Sequence, residues 1–128
     1  MRALGIDYGG KRIGLAISDA GGEYAFPREM IANDSQTLTK ISALVDSEKI
    51  GSIAMGDTRS YSDRENPVTK EAEKFAAILK EKTGITVTLV REAGTSIEAS
   101  RFAPENDQHS DAVAAAIILQ RFLDTKKV

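Results

Sequence analysis

The sequence contains no cysteine and a single histidine, His109. The first absence excludes disulfide staples, thiolate metal sites and cysteine nucleophiles. The second excludes a multi-histidine zinc site and leaves a histidine-based triad one candidate. Long apolar runs are also missing: the longest, Ala112 to Leu119, falls far short of the roughly 20 residues of a membrane helix. Asp7, Lys11 and Arg12 interrupt the first apolar stretch, so it reads as a strand and not as a signal peptide, and a cytoplasmic location without membrane contact is expected. Positive charge is not in excess either, with 17 Lys and Arg against 19 Asp and Glu and a formal charge of −2. Proteins held to nucleic acid by bulk attraction are usually basic. Any such contact must therefore run through a local patch or a metal ion.

What is present is ordinary for a folded protein. With 128 residues, 41% apolar and 28% charged, a single domain over residues 1–128 with one sizeable core is expected. Ala3 to Ile6 and Ile13 to Ser18 flank the glycine-rich stretch Asp7-Tyr8-Gly9-Gly10-Lys11-Arg12, a hairpin signal. Tyr24 to Ile31 supplies a third strand, in which Pro27 predicts an edge position or a bulge. Thereafter helices and strands alternate. Asn33-Asp34-Ser35 offers capping chemistry ahead of Leu38, Ile41, Leu44 and Val45 at helical spacing. Ile50 to Gly56 reads as a strand, Asn66-Pro67 as a helix start, Gly84 as its stop, and Ile85 to Val90 as the last strand. Thr95 and Glu98 form a capping box for a short helix, and a final helix is predicted over about residues 110–123. The order predicts an α/β fold with the later strands parallel.

Three acids interrupt apolar elements. Asp7 ends the first strand, Glu92 follows the last, and Asp111 heads the stripe Asp111, Ala115, Ile118, Phe122 of the final helix. Each has a plain structural reading, as a turn residue, a solvated strand end and a favourable acid in a first helical turn respectively. Taken together they suggest more. If the first and last parallel strands lie side by side at the point where strand order reverses, their carboxyl ends face one crevice. Oxygen donors without histidine or cysteine suit Mg²⁺ or Mn²⁺. Such clusters often hold two ions, roughly 3.5–4 Å apart, in phosphodiester cleavage. Gly9 and Gly10 permit close backbone approach, and Lys11 or Arg12 could meet a phosphate. Arg59 and Arg64 lie in a polar loop after the middle strand, and His109 precedes Asp111 by two residues, so Arg59 and His109 are further candidates for substrate contact.

The opening residues Leu4 to Gly9 and Lys11 to Asp19 resemble the start of the YqgF family, and Asp111 to Gln120 with Phe122-Leu123-Asp124 resembles its last helix. These bacterial proteins are also called RuvX or Holliday junction resolvases and are associated with processing of pre-16S ribosomal RNA. The resemblance implies a ribonuclease H-like fold: a mixed five-stranded sheet, meander first and then alternating α and β, with helices on both faces. It also implies a carboxylate site on the first strand, last strand and last helix, here Asp7, Glu92 and Asp111. Three places depart from the family. Arg91-Glu92-Ala93-Gly94 replaces an Asp-Glu-Arg-Leu pattern, Gly56-Asp57-Thr58 stands where Gly-Leu-Pro is usual, and residues 103–110 lack a basic stretch. The altered parts are those that would grip substrate.

The expectation is therefore a Mg²⁺- or Mn²⁺-dependent endonuclease acting on structured RNA, a ribosomal RNA precursor, with the ribosomal precursor particle as a possible partner. One rival cuts four-way DNA junctions, which calls for a homodimer where the RNA enzyme can be a monomer. The other is a non-catalytic RNA- or protein-binding module that has kept the fold.

Overall fold

The computed structural model describes residues 1–57, 67–91 and 108–126, with the backbone alone at 57, 67–69, 91, 108–111 and 126. The elements are β1 (Arg2–Tyr8), β2 (Arg12–Ser18), β3 (Ala25–Ala32), α1 (Thr37–Ser47), β4 (Ile50–Asp57), α2 (Pro67–Thr83), β5 (Val87–Arg91) and α3 (Gln108–Lys126). The strands form one five-stranded sheet in the order β3-β2-β1-β4-β5. β1, β2 and β3 pair antiparallel as a meander, while β4 and β5 run parallel to β1. The mixed sheet of the predicted fold class is thus present. The short helix predicted from Thr95 and Glu98 lies outside the described residues.

β1 occupies the middle of the sheet, which explains its near-continuous burial. Its alternation sorts side chains by size. Leu4, Ile6 and Tyr8 join Ile13, Leu15, Ile17, Ile53 and Met55 in a core with Ile41, Leu44 and Val45 of α1 and Phe75 and Leu79 of α2. The opposite face carries Ala3, Ala16 and Ala54, covered by Ala115, Ile118, Leu119 and Phe122 of α3. Helices therefore cover both faces, large side chains under α1 and α2 and small ones under α3. Tyr8 meets Phe75 with ring centroids 5.1 Å apart, pinning α2 to the end of β1.

Glycine sets how closely α3 sits. A Cβ on Gly5 would lie 2.7 Å from both the Ala115 carbonyl oxygen and the Leu119 Cβ. The helix therefore rests on bare strand backbone.

Local signals mostly match. β3 is an edge strand, and its register with β2 shifts by one residue beside Pro27, leaving Arg28 as the bulge. Gly84 adopts φ +75°, and its N–H donates to the Lys80 carbonyl at 2.7 Å, closing α2. α3 exceeds its predicted 110–123 at both ends, because apolar periodicity reports only the packed part of a helix. The spatial expectation for the strands needs correction. β1 and β5 are not neighbours: β4 lies between them.

Candidate active site

Asp7 is the penultimate residue of β1 and is 5% exposed. It shares the parity of Ala3 and Gly5, so its side chain lies on the face covered by α3. The strand residues beside it carry no side chains. Gly14 of β2 pairs with it directly. On the other side Ile6 pairs with Met55, which makes Gly56 the next residue of β4 at the level of Asp7. A buried carboxylate thus stands between two strand positions, Gly14 and Gly56, that carry no side chain.

α3 lies over the same face of β1. Ala3 and Leu123 line one hollow, and Gly5 faces Leu119 and Ala115, so α3 runs antiparallel to β1. From Gly5 to Asp7 is about 6.6 Å along a strand. From Ala115 back to residue 111 is about 6 Å along a helix. The helix thus runs from Leu119 and Ala115 over Gly5 towards the end of β1 that bears Asp7, and Ala115, Ile118 and Phe122 of the predicted stripe are buried. The side chains of Asp111 and His109 lie outside the description, and only their backbones, in the first turn of α3, are located.

Glu92 and Arg59 lie outside the described residues. β5 contributes Val90, which pairs with Gly56 and packs against the α3-side core. The intervening β4 separates β1 from β5 by two strand spacings, about 9.6 Å. At that level β4 offers only Gly56, so no side chain divides the two strands. Among the described residues no three metal-ligating side chains come together.

The turn after β1 is described in full. A Cβ on Gly9 would lie 2.5 Å from the Arg12 carbonyl oxygen, so only glycine fits there, whereas one on Gly10 would meet nothing within 4 Å. Lys11 is exposed and Arg12 half-buried. The structure adds a residue to this turn. Asn33, read as capping chemistry for α1, donates instead from Nδ2 to the Gly9 carbonyl at 2.8 Å. The N-cap is Gln36, without a side-chain cap bond, and Asp34 forms a turn ahead of it, its Oδ1 accepting from the Gln36 N–H at 2.8 Å. No local signal distinguishes the two, because the Asn33 bond spans 24 residues.

The sequence model of one family, described as RuvX: Holliday junction resolvase, matches residues 1–125. The chain belongs to the RuvX family. A relative from Maridesulfovibrio salexigens is 31% identical, covering 96% of this chain and 98% of its own, and carries the name "Putative pre-16S rRNA nuclease". A Bordetella petrii protein of the same name is 35% identical over 94% of this chain and 93% of its own. Among solved structures, Thermus thermophilus RuvC in complex with a Holliday junction substrate matches with a TM-score of 0.64 at 15% identity, covering 99% of this chain and 96% of that one. The fowlpox virus resolvase bound to Holliday junction DNA matches with a TM-score of 0.63 at 8% identity, covering 98% and 99%. The fold of this RuvX-family chain is ribonuclease H-like and its activity that of a nuclease, so nucleic acid is its substrate class.

Proposed function

We propose that the protein is a divalent-metal-dependent endonuclease that hydrolyses phosphodiester bonds of structured RNA, its substrate the 5′ region of the pre-16S ribosomal RNA precursor. The observation that carries this reading is Asp7: a carboxylate buried on the central strand, between Gly14 and Gly56 and on the face covered by α3. Burying a carboxylate is costly unless a cation or hydrogen bonds compensate it. The strand positions beside it, Gly14 and Gly56, present no side chain that would compete with a bound ion. The substrate assignment draws on relatives named for pre-16S rRNA at 31–35% identity over nearly the whole chain.

Asp7, Glu92 and Asp111 would hold Mg²⁺ or Mn²⁺, a donor set of hard oxygens that fits either ion. When bound, such ions supply an activated water and neutralise the leaving oxygen. The chain's own residues orient the substrate. Gly9 and Gly10 let the RNA backbone approach, Lys11 and Arg12 meet its phosphate, and Arg59 and His109 add contacts at the rim. Near-neutral overall charge makes this binding local and salt-sensitive. We infer that the protein works in the cytoplasm on the ribosomal precursor particle; among the described residues no helix is long and apolar enough to cross a membrane.

The test is Asp7→Asn in a Mn²⁺-dependent cleavage assay on a precursor RNA, with calorimetric Mn²⁺ titration beside it. Loss of both cleavage and Mn²⁺ binding is expected. Equal cleavage by wild type and variant would overturn the site assignment, and a wild type that neither binds Mn²⁺ nor cleaves would indicate a binding module. The name of the family, Holliday junction resolvase, favours a second substrate, the four-way DNA junction. That reading requires a dimer with paired sites and preferential cutting of junction DNA over precursor RNA, both measurable on the same preparation by light scattering and gel assay.

A further inference from the structure

Asn33, from outside the hairpin, holds the turn between β1 and β2. The backbone N–H of Asn33 donates to the Lys11 carbonyl at 2.9 Å, extending the β2–β3 ladder by one bond. Its side chain reaches across to the Gly9 carbonyl at 2.8 Å. The two acceptors bracket Gly10. Asn33 is in turn fixed by Thr37, whose hydroxyl is buried: it donates to the Ala32 carbonyl at 3.0 Å and accepts from the Asp34 N–H at 2.8 Å. Both chain neighbours of Asn33 are therefore tied to the first residue of α1.

This matters because successive glycines have the most backbone freedom to lose. A turn of Gly9, Gly10 and Lys11 that had to order itself around each incoming phosphate would bind weakly. Here Lys11 is exposed and enters no ion pair among the described residues. The position of a Gly10 Cβ faces open space. The outer side of the turn is thus clear while its inner side is fastened. Since the Gly9 carbonyl can only accept, the fastening needs a donor at position 33.

We infer that Asn33 is a positioning residue of the nuclease, pre-ordering the Gly9–Lys11 turn so that Lys11 meets a backbone phosphate without an ordering cost. This rests on the phosphate-binding reading of the turn given above. Asn33 touches neither substrate nor metal; it acts through the turn.

The experiment is a double-mutant cycle with a fluorescein-labelled precursor RNA, reading Kd by anisotropy across salt concentrations, kcat at saturating RNA, and the thermal midpoint. Lys11→Met is expected to raise Kd about tenfold and lower the salt slope by about one. Asn33→Ala is expected to raise Kd about fivefold, the equivalent of one net hydrogen bond, with kcat within about twofold. The double variant is expected to bind no worse than Lys11→Met alone, within about twofold, because both changes spoil one contact. Asn33→Gln, which keeps a donating amide, recovers part of the loss. If Asn33→Ala fails to fold, Asn33→Ser, too short to span to Gly9, carries the same expectations. An Asn33 variant that lowers the thermal midpoint and leaves Kd and salt slope unchanged overturns the inference, as does strict additivity with Lys11→Met. If Lys11→Met itself binds like wild type, the phosphate role of the turn falls, and that result is separate from any effect at position 33.

Discussion

Replacing Gly5 by alanine tests whether the seat of α3 sets the site. The new Cβ would stand 2.7 Å from the Ala115 carbonyl oxygen and 2.7 Å from the Leu119 Cβ. Carbon contacts are optimal near 3.5–4.0 Å, so the helix must retreat by roughly 1 Å. A gap of that order forfeits a quarter to a half of the attraction along the contact. Overpacking of this kind costs about 1–3 kcal/mol. For a chain of this size that lowers the thermal midpoint by roughly 4–11 °C. Cleavage should suffer more than stability, because the first turn of α3 moves away from Asp7. A misplacement of about 1 Å in catalytic geometry costs on the order of 100-fold. Leu119→Ala should not rescue the variant, since alanine retains the clashing Cβ and the Ala115 carbonyl is backbone. Two controls bracket the effect. Gly10→Ala meets nothing within 4 Å, and Gly51→Ala meets the Met1 side chain at 2.9 Å, which is 83% exposed and free to swing aside. Both should melt within about 0.5 kcal/mol of wild type. The measurements are calorimetric melting and cleavage at a temperature where every variant is folded. A Gly5→Ala protein that melts and cuts like wild type would refute the claim that this contact fixes the helix.

Gln120 ties α3 to the β3 side of the sheet, accepting from the Ala25 N–H at 2.9 Å and donating to the Glu23 carbonyl at 3.0 Å. Gln120→Ala should cost about 1–2 kcal/mol in urea unfolding. Lys49 adopts φ +54° between α1 and β4, so Lys49→Gly should gain about 0.5–1 kcal/mol in the same assay. The Asp19 carboxyl is held below its ordinary 3.8 by hydrogen bonds from the backbone N–H groups of Tyr24 and Glu23. Its contribution to stability is full above that value and disappears as pH falls through the lower folded one. Asp19→Asn should therefore unfold at lower urea than wild type at pH 6, and the gap should close as the pH drops below 3.8.

What could be read in advance was local or periodic. The hairpin glycines, the bulge beside Pro27, the stop at Gly84 and the buried stripe of α3 all follow from backbone chemistry and side-chain spacing within a few residues. What escaped was set by partners far along the chain. Asn33 carries the same amide whether it caps α1 or fastens Gly9, and only the folded hairpin decides between them. Lys49 takes a left-handed conformation with no glycine to announce it, held there because Ile50 must enter the sheet beside Arg2. The placing of β4 between β1 and β5 depends on the sheet as a whole, and so does the meaning of Gly56, which looks like a strand end in isolation. Asp7 stood out because an acid ending an apolar strand is uncommon. Its glycine neighbours did not, because Gly14 and Gly56 are 42 residues apart and flank one carboxylate only through pairing.

The central place of β1 has a consequence for motion. A strand bonded on both sides and covered on both faces opens only when much of the protein opens with it, so its amides should be among the last to exchange with solvent. Asp7 is thus mounted on a strand held from both sides and both faces. Any accommodation between enzyme and substrate has to be made by what surrounds that carboxylate, while the carboxylate itself serves as the fixed point of reference.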